Sequence, residues 1–104
     1  MEQMKRAVHL DFHTMPGIYN FGGKWDAEKF AQTLKKAHIT HINAFAQCNL
    51  GFSYYPTKIG VAYPYMTGDM FGELLQACHD VGIKVIAYMS VGLNHEQCIR
   101  HPEW

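Results

Sequence analysis

The sequence predicts an α/β fold in which parallel strands alternate with amphipathic helices. Three short apolar runs predict strands, and the two segments between them carry apolar residues at helical spacing. This β-α-β-α-β order requires parallel strands joined by right-handed crossovers. A length of 104 residues with 48% hydrophobic content indicates one globular domain, or part of one, spanning residues 1–104.

The first predicted strand covers residues 7–12 and collects polar side chains toward its carboxyl end. Val8, Leu10 and Phe12 share one face, while Asp11 and His13 share the other, because successive side chains of a strand alternate. A loop rich in proline and glycine follows. It predicts that Asp11 and His13 lie at the edge where the strand ends.

The first helix is expected to begin after Asp26, which is a suitable N-cap residue. Trp25 precedes the cap and can pack on Phe30 as a hydrophobic staple. Phe30, Leu34 and Ala37 recur at i, i+4 and i+7, so they predict the buried stripe of an amphipathic helix that packs on the sheet.

The second predicted strand covers residues 41–46, and an unusually long loop follows it to about Thr67. The interval between the second and third strand starts, 84 − 41 = 43 residues, exceeds the first, 41 − 7 = 34, and the surplus falls in this loop. Ligands of parallel α/β proteins bind at the carboxyl ends of strands. We therefore expect residues 47–65 to carry function.

The remaining elements follow in order. Thr67 is the expected N-cap of a second helix, and Gly82 is the expected left-handed residue at its end. Residues 84–89 are almost continuously apolar, which is typical of a parallel strand covered on both faces. A short helix is expected around residues 96–100.

Composition excludes several function classes. Nine basic residues balance nine acidic ones, so no clustered basic surface is expected for nucleic acid. Cys48, Cys78 and Cys98 form neither a disulfide framework nor a metal-ligand pattern, so we expect no metal, no cofactor and a reducing, cytoplasmic location. The first ten residues lack the apolar core of a signal peptide, and no run is long enough to span a membrane.

Four stretches of the chain resemble a known protein family. They are residues 11–14 (Asp-Phe-His-Thr), 47–57 (which include Tyr-Tyr-Pro-Thr), 77–85 and 101–104 (His-Pro-Glu-Trp). Together they resemble the amino-terminal part of a hypothetical glycosyl hydrolase family that is related to the alpha-L-fucosidases. The resemblance implies a (β/α)8 barrel, of which this chain would supply the first three β/α units as a truncated fragment.

The resemblance also implies where the chemistry lies. The nucleophilic carboxylate of the family is expected at the end of the fourth strand and the acid/base residue later, so no catalytic residue is expected in this chain. The second-strand motif places Cys48 and Asn49 among the substrate-binding residues. Asn49 stands where the family pattern carries His, so it can hydrogen-bond a sugar but cannot carry a proton near neutral pH.

Asp11, His13, Tyr54 and Tyr55 complete the expected substrate-binding set. His13 is expected to bond a sugar hydroxyl, while tyrosine rings suit stacking on the C–H face of a sugar. Asp11 has an alternative role as a hydrogen-bonded support, and the tyrosines have the alternative of core packing. Among the loop tyrosines, Tyr63 and Tyr65 are expected to pack.

Three functions remain open at this point. The leading one is the amino-terminal part of a glycoside hydrolase, inactive alone, that contributes contacts to a carbohydrate substrate. The second is a non-catalytic carbohydrate-binding module or degenerate barrel. The third is a small α/β domain that self-associates through exposed sheet edges, because three strands leave edges and apolar surface uncovered.

Overall fold

The computed structural model describes residues 5–104. Residues 1–4, part of the segment in which we expect no signal peptide, lie outside this range. The elements of the described chain are β1 (Ala7–His9), α1 (Ala27–Lys36), β2 (His41–Gln47), β3 (Phe52–Ser53), β4 (Val61–Ala62), α2 (Met70–Asp80), β5 (Lys84–Met89) and α3 (His95–Arg100).

The sheet is built around β2. Strand β1 pairs with it in parallel, with Ala7 opposite His41, and β5 pairs with its other edge in parallel, with Lys84 also opposite His41. The predicted α/β class and the parallel pairing of the three predicted strands are therefore confirmed.

The long loop after β2 contains two short strands that the sequence did not predict. β3 turns back antiparallel to β2 through the pair Gln47 and Ser53, and β4 then runs parallel to β3. Two-residue strands carry no detectable period, so pattern analysis could not find them. They extend the sheet out over its carboxyl edge.

Two predicted boundaries were wrong. The first strand stops at His9 and not at residue 12, because the carbonyl of Phe12 accepts a hydrogen bond from the Tyr54 hydroxyl in place of a ladder partner. The second helix is capped by Asp69, whose Oδ1 accepts from Gly72 N at 2.9 Å. The backbone N–H of Thr67 is instead bound to the carbonyl of Phe21, so Thr67 belongs to the loop.

Both long helices cover the same face of the sheet. Ala31 of α1 and Leu74 of α2 join Ile42 and Ala44 of β2 in one buried cluster. Trp25 packs on Phe30 with ring centroids 5.1 Å apart, as the predicted staple requires. The Asp26 carboxylate caps α1 by accepting from Lys29 N at 2.9 Å, an interaction typically worth about 1 kcal/mol.

Strand β5 departs from the expectation of cover on both faces. Val85 packs on the helix-covered core, but Ile86 and Met89 are 44% and 46% exposed. The free edge of β5 has no strand beside it within residues 5–104. The apolar run of β5 is thus only partly buried by this chain.

Both long helices end in the same hydrogen-bonded motif, but with different residues at the left-handed position. After α2, Gly82 has φ +80°, its N–H bonds His79 O, and Ile83 N bonds Cys78 O. After α1, His38 takes the equivalent position at φ +57°. The predicted role of Gly82 is confirmed, while His38 adopts a conformation that costs a side-chain-bearing residue about 1–2 kcal/mol.

We expect His38→Gly to raise the free energy of unfolding by about 1 kcal/mol, because glycine adopts the left-handed conformation without strain. Gly82→Ala is the matched control and should lower it by a similar amount; its added Cβ would meet nothing within 4 Å, so backbone strain alone acts. Urea denaturation of the two variants tests this. A less stable His38→Gly protein would show that the imidazole makes a stabilising contact.

Candidate functional site

The three parallel strands end at one edge of the sheet, which we call the rim. Two loops that rise from it, residues 10–26 after β1 and residues 48–69 after β2, are joined to each other. The Tyr63 hydroxyl donates to Met15 O at 2.7 Å and accepts from Ile18 N at 3.2 Å. Thr67 N donates to Phe21 O at 2.9 Å. The rim is therefore a single connected layer and not two independent loops.

A buried cluster of mainly aromatic residues lies beneath this layer. It consists of Phe45, Cys48, Phe52, Tyr54 and Tyr63. Tyr54 is 2% exposed and Cys48 is fully buried. Burial raises the pKa of the Tyr54 phenol above its ordinary value, so it stays protonated and donates to Phe12 O. The structure places these two predicted substrate residues under the surface, and Tyr63 packs as expected.

Asp11 and His13 lie in the loop directly after β1. His13 Nε2 is 3.2 Å from Asp11 Oδ1, and the imidazole meets the ring of Phe45 edge-on at 4.7 Å. The side chains remain 37% and 63% exposed for His13 and Asp11 respectively. The carboxylate can orient the imidazole while both keep polar atoms free for a ligand. Asp11 is thus an exposed partner of His13 and not a buried support.

Asn49 lies where β2 turns into β3. Its carbonyl accepts from His95 N at 3.1 Å, and its Oδ1 is buried without a hydrogen-bond partner among the described residues. An unpartnered buried oxygen is costly, since its desolvation is uncompensated. A donor from a ligand or from further protein would satisfy it.

Tyr55 occupies a different environment from His13. It lines an open, mostly apolar groove of about 350 Å³ together with Ala46 and Ala87. Ala46 and Ala87 belong to the helix-facing set of their strands, whereas Phe45, under His13, belongs to the opposite set. The sequence predicts that His13 and Tyr55, which leave the ends of neighbouring strands, converge on one small ligand. The structure does not bring them together, because they lie near opposite faces of the sheet.

Two further polar residues share the rim. The sequence placed Gln47 in the functional segment 47–65 without giving it a role, and it missed Asn94. Gln47 ends β2, and its Oε1 lies 3.5 Å from Asn94 Nδ2. Asn94 also caps α3 by accepting from Gln97 N at 3.1 Å. A usable signal existed, because Asn94 is an N-cap residue that follows the third apolar strand. With His13, these side chains follow the ends of all three neighbouring parallel strands.

Gly51 is another residue to which the sequence gave no role, and its role is steric. His95 N and Glu96 N donate to the carbonyls of Asn49 and Leu50, which seats α3 directly on the turn at Gly51. A Cβ at Gly51 would collide with Asn94 Oδ1 and lie 2.8 Å from Glu96 Cβ. Only glycine lets the turn and α3 approach this closely.

The rim residues can form hydrogen bonds to a polar ligand. Within residues 5–104, no group of three or more His, Cys, Asp or Glu side chains could hold a metal ion. No helix of the described chain has the length and apolar content needed to cross a membrane. The rim offers an imidazole paired with a carboxylate, and amides on adjacent strands. Such groups suit a polyhydroxylated molecule.

These features define an α/β protein with parallel strands and a polar rim at their carboxyl ends. The family model described as hypothetical glycosyl hydrolase 6 matches residues 26–104, and the chain belongs to that family. No curated protein matches the chain.

Solved alpha-L-fucosidases have similar structures. Isoenzyme 2 from Paenibacillus thiaminolyticus has 34% identity and a TM-score of 0.88 over 95% of this chain. The Thermotoga maritima enzyme in complex with fucose has 26% identity and a TM-score of 0.66 over 73%. A GH29 enzyme from Bacteroides thetaiotaomicron has 29% identity and a TM-score of 0.57 over 66%. The chain covers 15%, 19% and 16% of these proteins respectively.

The buried Tyr54 hydroxyl should matter for stability in a pH-dependent way. Tyr54→Phe leaves the Phe12 carbonyl unsatisfied and should lower the free energy of unfolding by about 1–3 kcal/mol at pH 7. The unfolded phenol titrates near pH ~10 and the folded one higher, so wild-type stability falls as pH rises above ~10. The difference in free energy of unfolding between the wild type and Tyr54→Phe should therefore shrink in that alkaline range. Urea melts across this range test it, with the exposed Tyr19→Phe as the control, and a constant difference would contradict it.

Gly51→Ala should release α3 from the rim. Gly17 has the same φ of +95° but open space around its Cβ, so Gly17→Ala measures backbone strain alone. We expect Gly51→Ala to be the more destabilising by about 1–3 kcal/mol, the cost typical of overpacking. Amide hydrogen exchange at His95 and Glu96 should accelerate only in Gly51→Ala. Equal effects of the two substitutions would show that the contact with α3 carries no weight.

Proposed function

We propose that this chain forms the first three β/α units of a fucosidase-type (β/α)8 barrel that hydrolyses glycosides. Residues 1–104 form the amino-terminal part of that barrel. One observation carries the proposal: the chain superposes over 95% of its length on an alpha-L-fucosidase with a TM-score of 0.88, yet covers 15% of that enzyme. The other edge of β5 is unpaired within the described chain, and Ile86, on the face turned away from the helices, is exposed. Both features support the proposal, because a following barrel strand would cover this edge and this face.

The role proposed for the chain is to bind substrate, while the catalytic carboxylate pair lies in other parts of the barrel. Hydrolysis of a glycoside needs two carboxyl groups facing the scissile bond. Among the predicted substrate-binding residues, Asp11 has a carboxyl group, and its contact with His13 serves to orient the imidazole. The partly buried Glu96 is paired with Arg100 at 3.5 Å on α3. Neither arrangement supplies a facing pair.

Of the six substrate-binding residues predicted from the sequence, Asp11 and His13 are exposed, while Asn49 and Tyr55 are half-buried. We propose that His13 and Asn49 bind sugar hydroxyls, with Gln47 and Asn94 beside them. Cys48 and Tyr54 support the rim from below, since both are buried. Tyr55 lines the neighbouring groove, where it would meet a part of the substrate or protein beyond the first sugar.

Self-association is the second candidate, and the same exposed strand favours it. Ile86 and Met89 lie on β5, whose outer edge is unpaired within the described chain. Another copy could pair along this edge. Sedimentation of the chain at several concentrations separates the two, since a concentration-dependent dimer abolished by Ile86→Lys would favour self-association.

A chimeric enzyme tests the leading proposal directly. The matched segment of the Paenibacillus thiaminolyticus enzyme is replaced by residues 5–104, and hydrolysis of an aryl α-L-fucoside is measured. We expect the chimera to be active and the isolated chain to be inactive. His13→Ala in the chimera should lower kcat/KM by roughly 5- to 150-fold, the cost of one well-made polar contact, whereas the exposed helix residue change His79→Ala should not.

Two outcomes would contradict the proposal. One is turnover by the isolated chain that Asp11→Asn or Glu96→Gln abolishes, because the chain would then hold its own catalytic carboxylates. The other is a folded chimera, checked by circular dichroism, that lacks activity.

The three free cysteines fit a protein of the reducing cytoplasm, which we propose as its location.

A further inference from the structure

Two exposed tyrosines form an aromatic pair that the proposed sugar site does not use. Tyr19 and Tyr65 are 73% and 42% exposed, and their ring centroids lie 4.5 Å apart with the planes tilted by 52°. They come from different loops of the rim. We call this pair the Tyr19–Tyr65 platform. Tyr65 was expected to pack in the loop, and its exposure is a correction.

The platform stands on rigid support. Phe21, two residues after Tyr19, packs on Tyr63, two residues before Tyr65, with ring centroids 4.6 Å apart. The Tyr63 hydroxyl bonds the backbone of the Tyr19 loop at Met15 and Ile18. The two exposed rings are thus held by buried contacts between their loops. A ligand would not have to order them, and that lowers the cost of binding.

The surroundings of the platform are polar as well as aromatic. Asn20, next to Tyr19, is held in the left-handed conformation at φ +57°, and its Oδ1 accepts from Thr67 Oγ1 at 3.4 Å. Asn20 and Thr67 are both exposed. Flat rings flanked by amide and hydroxyl groups match a sugar, which presents an apolar C–H face and a circle of hydroxyls.

The platform also lies close enough to the proposed sugar site to share a ligand with it. Tyr19 follows His13 by six residues, so the two backbones are at most about 22 Å apart even if the loop were fully extended. Both loops of the platform rise from the rim that carries His13. One oligosaccharide could therefore reach from the imidazole to the rings.

We propose that the Tyr19–Tyr65 platform is a second saccharide subsite, which takes a sugar unit beyond the one bound near His13. The tyrosine rings stack on the sugar face, and Asn20 and Thr67 bind its hydroxyls. This inference rests on the proposed function and adds that the substrate is an oligosaccharide or glycoconjugate. It involves binding only and no covalent step.

Nuclear magnetic resonance titration of the 104-residue chain tests the subsite, because both loops lie within the chain. The probes are fucosyllactose and, for comparison, free L-fucose. Fucosyllactose should shift the ring resonances of Tyr19 and Tyr65. Tyr19→Ala or Tyr65→Ala should weaken its binding by roughly 2- to 12-fold, as expected for loss of one aromatic contact. L-Fucose binding should stay unchanged in both variants.

Ile59→Ala is the matched control, since Ile59 is a fully exposed apolar residue of the same loop. It should leave fucosyllactose binding unaltered, and circular dichroism melts should be equal for all variants. Unshifted tyrosine resonances, or binding that neither tyrosine change weakens, would overturn the subsite. So would tyrosine changes that spare saccharide binding but dissociate a dimer in sedimentation, because the pair would then be a protein interface.

The chimera separates this inference from the proposed function. If the chimera is active but neither Tyr19→Ala nor Tyr65→Ala weakens fucosyllactose binding, the subsite alone is rejected. Tyrosine-dependent saccharide binding with a folded, inactive chimera would reject the proposed function and retain the subsite as part of a non-catalytic carbohydrate-binding module.

Discussion

Strand β2 is the element on which the rest of the structure depends. It pairs with β1 and β5 along its two edges and with β3 beyond its end, so each of those strands hydrogen-bonds to it. Ile42 and Ala44 bury one of its faces beneath the helices, while Phe45 buries the other against Tyr88, with the rings stacked at 4.3 Å. Because both faces and both edges are occupied, β2 fixes where every neighbouring loop leaves the sheet.

The rim shows how buried hydroxyl groups organise a surface. The hydroxyls of Tyr54 and Tyr63 donate hydrogen bonds to carbonyls of the loop after β1, and the two rings fill the cluster beneath. A buried hydroxyl must find a partner, so each ring that packs also ties one loop to another. The result is a connected layer on which His13, Asn49 and the Tyr19–Tyr65 platform keep fixed positions. Fixed positions of this kind suit the saccharide sites proposed above, since hydroxyl recognition depends on the direction of each hydrogen bond.

Family membership and structure agree on the class of protein. The chain resembles alpha-L-fucosidases over most of its own length but covers less than a fifth of theirs. Its most exposed apolar strand is β5, where the described chain leaves Ile86 and Met89 partly uncovered. The unpartnered Asn49 oxygen also lies at the rim, where substrate or further protein would reach it. Uncovered apolar surface and an unsatisfied buried oxygen are the two features that the proposed barrel would account for.

The sequence alone determined the local elements, because they depend on short-range patterns. Spacing of Phe30 and Leu34 predicted α1, the glycine at residue 82 predicted the turn after α2, and the apolar run predicted β5 with its observed bounds. The resemblance supplied the family. Only the tertiary structure decided which rim residues face solvent, because adjacent tyrosines in a loop have no period from which burial can be read. Tyr54 and Tyr65 exchanged their expected roles, since the burial of each depends on contacts with the loop after β1, more than forty residues away along the chain.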